Sequence, residues 1–138
     1  MDLAQKNNPL FKKKIIQLFK FGMVGLSGLM IDFSITYFFK EHLHFDPYLA
    51  NALGFCVAVV NNYFINRIWT FKNKEKAIVQ QFAKFLLIAL IGLGLNTLCI
   101  YVLQQLLHLP FYIAKLMAIV LVFAWNYTIN ATLTFSKN

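Results

Sequence analysis

Asparagine recurs at the ends of two apolar runs, at a spacing that puts the amides on one helix face. Asn62 and Asn66 stand four residues apart in NYFINRIWTF, residues 62–71, and Arg67 follows; Asn126 and Asn130 stand four apart in NYTINATLTF, residues 126–135. Side chains at i and i+4 share a face. An amide inside an apolar run is costly without a partner, so each pair must face another helix or a polar ligand. Amides and an aromatic such as Tyr63 suit hydroxyl-rich ring compounds, whereas Arg67, Lys20 and Lys84 suit a phosphate, the guanidinium through a planar two-pronged contact.

Two further charges fall inside apolar runs. Asp32 is the one acid there, about twelve residues and roughly 18 Å beyond Lys20 along a helix. An intramembrane carboxylate is a functional-site hypothesis, with a structural ion pair as its competitor. Lys115 lies at a similar depth, roughly 8 to 12 Å below the surface. We therefore expect an Asp32–Lys115 pair between the first and fourth spans, with Asn51 and Asn96 at the mirror positions. His42, His44 and His108 fall in short turns and read as solvated, since no further ligands accompany them to make a metal site. Cys56 and Cys99 read as small apolar residues. No set of nucleophile, base and oxyanion donors appears, nor a glycine-rich phosphate loop, so neither catalysis nor a cofactor is expected of this chain alone.

The elements that position these residues follow from composition. Of 138 residues, 59% are hydrophobic and 13% charged, with mean hydropathy +0.62, far beyond a soluble domain. Apolar runs at about 21–39, 48–65, 85–107 and 111–129 each have the length of a transmembrane helix, and none alternates as a barrel strand would. The expected fold is all-α, an integral membrane protein of four helices. Gly22, Gly25, Ser27 and Gly28 give the first helix a face of small residues for close packing. Residues 1–14 read as a basic lead, and the run after them is too long for a signal peptide.

The net charge of +8 is distributed by side rather than in a patch. All thirteen lysines and arginines except Lys40 and Lys115 lie before the first span, between the second and third, or after the fourth. That asymmetry predicts cytoplasmic termini and central loop, with basic segments facing anionic lipid headgroups. Nucleic acid is not the expected partner.

Displacing the chain by 64 residues superposes residues 17–73 on 81–137 without a gap, matching Lys20 with Lys84, Phe21 with Phe85, Gly28 with Gly92, His44 with His108, Ala50 with Ala114 and the two terminal motifs. A fixed period of this kind marks an internal repeat. We expect a single domain over 1–138, built from two helical hairpins.

Lys20-Phe21, Gly25, Gly28, Asp32, Ala50, Asn62-Tyr63, Asn66-Arg67 and Trp69-Thr70-Phe71, echoed by Asn126-Tyr127, Asn130 and Thr134-Phe135, together resemble the GtrA-like family of small membrane proteins. The resemblance covers about residues 17–137. It implies a flippase, or an accessory to one, for a polyprenyl-phosphate-linked sugar in the bacterial inner membrane, serving cell-surface polysaccharide. The substrate-binding residues would be Arg67, Asn62, Asn66, Tyr63, Asn126, Asn130, Lys20 and Lys84. The second copy departs from the family, with Ala131 and Leu133 where Arg67 and Trp69 stand in the first, which makes the first hairpin the expected binding half. Two other readings remain open at this level: a small multidrug-type cation exporter using Asp32, and a non-transporting membrane partner of a polyprenyl-phosphate glycosyltransferase. A homo-oligomer is compatible with each.

Overall fold

The computed structural model describes residues 8–136, without the side chains of Pro47, Tyr48, Phe111, Tyr112 and Lys115. The first helix, α1, runs Pro9–Tyr37. It starts there because the Asn8 Oδ1 accepts the Leu10 N–H at 2.9 Å and proline takes a position whose N–H has no helical partner. Lys12, Lys13 and Lys14 of the basic lead therefore lie on the helix. A π turn, Phe38–His42, extends α1. His42 is thus part of a helix end rather than of the turn the sequence suggested.

The second helix, α2, covers Pro47–Ile65 and passes into a π turn at Asn66–Thr70. The third, α3, spans Ile78–Leu107. The fourth, α4, covers Phe111–Ile129 and ends in a π turn at Asn130–Thr134. All four are long and apolar enough to cross a membrane. At 1.5 Å per residue, nineteen helical residues with their π turn reach across about 30 Å of hydrocarbon. The protein is an all-α, multi-pass membrane protein. Outward apolar side chains such as Leu26, Met30 and Phe33 are what a lipid-facing surface requires.

The chain forms two compact units, one through Lys74 and one from Glu75. In the first, α1 packs on α2 around Val24, Ala50, Val59 and Tyr63, and Phe21 meets Phe71 edge to face at 6.2 Å. In the second, α3 packs on α4 around Ile88, Ala114 and Ala118, and Phe85 meets Phe135 at 6.0 Å. The aromatic pair, a fully buried alanine (Ala50, Ala114) and a closing π turn (Asn66–Thr70, Asn130–Thr134) thus recur at a distance of 64 residues.

Three helix ends close alike. His44, Lys72 and His108 carry positive φ of 53, 48 and 50°, and the residue after each donates its N–H back to the last helical turn, Phe45 to Phe39 O at 3.0 Å, Asn73 to Arg67 O at 2.8 Å and Leu109 to Leu103 O at 3.3 Å. A left-handed residue reverses the chain so that the final carbonyls find donors, the role glycine usually fills.

Candidate functional site

The end of the first hairpin that carries Arg67 is polar inside and apolar outside. Asn66, Arg67 and Thr70 are buried, Arg67 at 8% exposure, whereas the intervening Ile68 and Trp69 stand at 68% and 44%. The spacing does this: in the π turn, 66, 67 and 70 fall on the side facing α1, and 68 and 69 on the other. Thr70 Oγ1 donates to Asn66 Oδ1 at 2.8 Å. Lys20, from α1, donates to the Trp69 carbonyl at 3.4 Å, and its ammonium lies 4.9 Å from the centre of the indole ring. One turn deeper, the Asn62 amide rests against Gly28, and Asn61 Nδ2 donates to Asn62 Oδ1 at 3.5 Å. Tyr63 is fully enclosed. The first hairpin thus gathers Lys20, Asn62, Asn66 and Arg67 of the expected set at one end, and turns Tyr63 into its core.

The second hairpin repeats the amides but has Ala131 where the first has Arg67. Thr134 Oγ1 donates to Asn130 Oδ1 at 2.8 Å, Asn130 Nδ2 donates to the Asn126 carbonyl at 2.8 Å, and the Asn126 side chain lies over Gly92. Buried Gln81 donates to the Thr134 carbonyl at 2.9 Å. Trp125 Nε1 and Asn126 Oδ1 are buried without a hydrogen-bond partner among the described residues. Lys84 is exposed, and the position matching Trp69 is Leu133, which offers no ring. Lys20 and Lys84, equal in the sequence, are therefore unequal in structure.

A second polar group sits farther along the first hairpin. Thr36 Oγ1 lies 3.3 Å from Asp32 Oδ1 and 3.5 Å from the Ala50 carbonyl of α2. The bare α-carbon of Gly54 sits against them: a Cβ there would overlap Asp32 Oδ1 and Thr36 Oγ1 and come within 2.6 Å of the Asp32 carbonyl. The expected partner of Asp32, Lys115, has a side chain outside the described residues. Asn51 is exposed and Asn96 half-buried. Among the described residues, no three His, Cys, Asp or Glu side chains cluster as a metal site.

From the sequence, Thr70 and Thr134 enter only as marks of the family resemblance, and Gln81, Thr36 and Gly54 have no assigned role. For the threonines a signal existed, since both terminal motifs place Thr four residues after the second Asn. Gln81 and Gly54 act across a helix pair and leave no mark in local spacing. Of the small-residue face on α1, Gly28 meets α2, whereas a Cβ at Gly25 would touch no described residue.

The family model described as GtrA/DPMS, transmembrane domain, matches residues 20–135. A protein of Pyrococcus furiosus named dolichol-phosphate mannosyltransferase is 32% identical over 124 residues, which is 89% of this chain and 35% of that protein. YngA of Bacillus subtilis, described as an uncharacterized membrane protein, is 33% identical over 94 residues, 68% of this chain and 63% of its own length. The chain thus spans about a third of one of these relatives and under two thirds of the other.

Proposed function

The chain belongs to the GtrA/DPMS transmembrane domain family, and from that premise we propose that it moves a polyprenyl-phosphate-linked sugar across the bacterial inner membrane. The observation that carries this reading is the inward turn of Arg67 beside Asn66, with Lys20 held at the same end of the hairpin. A guanidinium facing the helix pair instead of the surface is placed to take a phosphate as it leaves the headgroup layer, and the amides at 62 and 66 are placed for hydroxyls next to it. The distribution of lysines orients this end, with both termini, toward the cytoplasm. The apolar outer faces of the helices accommodate the polyprenyl tail.

The test is reconstitution of the purified chain in liposomes with a labelled polyprenyl-phosphate sugar in one leaflet. The label should reach the other leaflet faster than in protein-free vesicles, and Arg67→Lys should slow it. Equal rates with and without protein would refute translocation by this chain alone.

One comparison favours a second reading. The relative that bears a transferase name contains the similar stretch within a chain nearly three times as long, so a stretch of this kind can accompany a transferase. In that reading the chain anchors or feeds a separate polyprenyl-phosphate glycosyltransferase. Stable co-purification with such an enzyme, with no translocation in liposomes, would select it.

A further inference from the structure

We propose that the first hairpin holds a monovalent cation of sodium size between Asp32, Thr36 and the carbonyl of Ala50. Three kinds of oxygen meet there: a carboxylate, a hydroxyl and a backbone carbonyl, contributed by α1 and α2. Their separations, 3.3 Å from Asp32 Oδ1 to Thr36 Oγ1 and 3.5 Å from Thr36 Oγ1 to Ala50 O, are long for hydrogen bonds from a hydroxyl, which centre near about 2.7–2.8 Å. The single hydroxyl proton can also point fully at only one of the two acceptors. The same separations are those of neighbouring ligands on a hard cation. Metal–oxygen bonds of about 2.4 Å, the calcium range and that of the similarly sized sodium ion, put oxygens at right angles roughly 3.4 Å apart.

Charge selects the valence. Asp32 is the one acid inside the apolar runs, and among the described residues no cation pairs with it. A carboxylate within an apolar span is stabilised by a positive charge beside it. A single positive charge neutralises it, whereas a divalent ion would leave an excess charge among neutral oxygens. Both Asp32 and Thr36 are half-buried, so an ion has a route to them.

Gly54 brings the third ligand into range. With no side chain at 54, the α2 backbone closes onto the oxygens of α1, and Ala50, one turn earlier, presents its carbonyl to Thr36. The second hairpin supplies an internal comparison. It keeps the counterparts of Gly28, Asn62, Asn66 and Thr70, yet has Asn96, Ile100 and Ala118 at the positions of Asp32, Thr36 and Gly54. Carboxylate, hydroxyl and glycine are absent together from a helix pair that packs without them. The set is therefore not required for packing a hairpin of this kind, and serves something the first hairpin alone does.

The test uses the full chain in nanodiscs of neutral lipid, with sodium chloride titrated against choline chloride at constant ionic strength. Sodium should raise the unfolding midpoint saturably and choline should not. Thr36→Val, which removes one ligand while keeping the shape, should abolish the shift, and Thr36→Ser should retain it. Binding of radioactive sodium, displaced by unlabelled sodium and absent in Gly54→Ala, should follow the same pattern. Equal responses to sodium and choline in the native chain, a shift that persists in Thr36→Val, or a potassium response as large as that to sodium would each overturn the proposal. Since binding is read without any transport assay, its failure leaves the translocation reading untouched.

Discussion

The side-chain amide of Asn62 lies so close over Gly28 that no β-carbon fits between them, and Asn126 covers Gly92 in the same way 64 residues later. A polar side chain in an apolar span is thereby set against backbone instead of lipid. The contact ranks the glycines. At Gly54 a methyl group would meet a backbone carbonyl, which cannot step aside, so Gly54→Ala should destabilise by about 1–3 kcal/mol. Gly28→Ala should cost less, because an amide can rotate away, and Gly92→Ala least of the three. Gly25→Ala and Gly94→Ala meet nothing and should be neutral or stabilise by up to about 1 kcal/mol through helix propensity. Unfolding midpoints in a mild detergent titrated with a denaturing one would give the order.

His44, Lys72 and His108 occupy left-handed backbone at helix ends, where a β-carbon costs roughly 1–2 kcal/mol. Replacing His108 with glycine should recover part of that, about 0.5–1 kcal/mol after the added freedom of the unfolded chain is subtracted. His108→Val should do the reverse. The same unfolding assay checks both, and a destabilised His108→Gly would show that the imidazole makes a contact outweighing the strain.

What the sequence conveyed depended on whether the cause was local. Four spans follow from run length and composition, whereas the start of α1 at Pro9 lies ahead of the apolar run, within the basic lead. The π turns are not legible, because they depend on how Asn66 and Asn130 and their following turns settle against the other helix. The amide pairs were found by spacing alone. Their threonine partners belong to the same spacing and to the motifs that carry the resemblance, though the bond to the amide is not legible there, while Gly54 beside Asp32 needs the rotation of two helices about each other, which no one-dimensional pattern carries. Lys20 and Lys84 mark the same limit: the sequence pairs them, and only the residue they meet, Trp69 or none, separates them.

The sidedness of the loops is testable with single cysteines in a chain whose Cys56 and Cys99 have been replaced by alanine. Exposed positions Glu41 and Lys74 are suitable, whereas Asn73 is buried and its N–H holds the Arg67 carbonyl. Charge asymmetry predicts that an impermeant thiol reagent labels Glu41→Cys in intact cells and Lys74→Cys only after lysis. Labelling of Lys74→Cys in intact cells would invert the topology.

Lys20 joins α1 to the end of α2 through the Trp69 carbonyl and ring, a contact Lys84 lacks. Lys20→Met should therefore cost about 0.5–1 kcal/mol in the unfolding assay, the worth of a partly exposed cation over an indole, and Lys84→Met close to nothing. Trp69→Leu, which gives the first hairpin the residue of the second, should remove most of the difference between the two lysine variants. Equal costs for Lys20→Met and Lys84→Met would show that the indole contributes no stability.

Arg67 separates a ligand-binding role from an anchoring one. A snorkelling arginine extends its guanidinium outward and leaves its stem along the apolar surface, in which case its neighbours, not itself, would be enclosed. Arg67 is instead itself enclosed, at 8% exposure, and it is the apolar Ile68 beside it that is exposed, at 68%. A guanidinium turned inward at this end of the hairpin presents a planar fork, which lysine cannot imitate although it keeps the charge. If that fork takes the phosphate, Arg67→Lys should lower the translocation rate in liposomes by about tenfold or more, since a charge-assisted hydrogen bond is worth about 1.5–3 kcal/mol. Arg67→Met, which keeps much of the stem and removes the charge, should lower it further. The two variants also divide stability from function: if Arg67 only packs, Met should preserve both midpoint and rate, and Lys should do no worse. A native rate for Arg67→Lys at native abundance would withdraw the phosphate role and leave Arg67 as part of the polar core that closes the first hairpin.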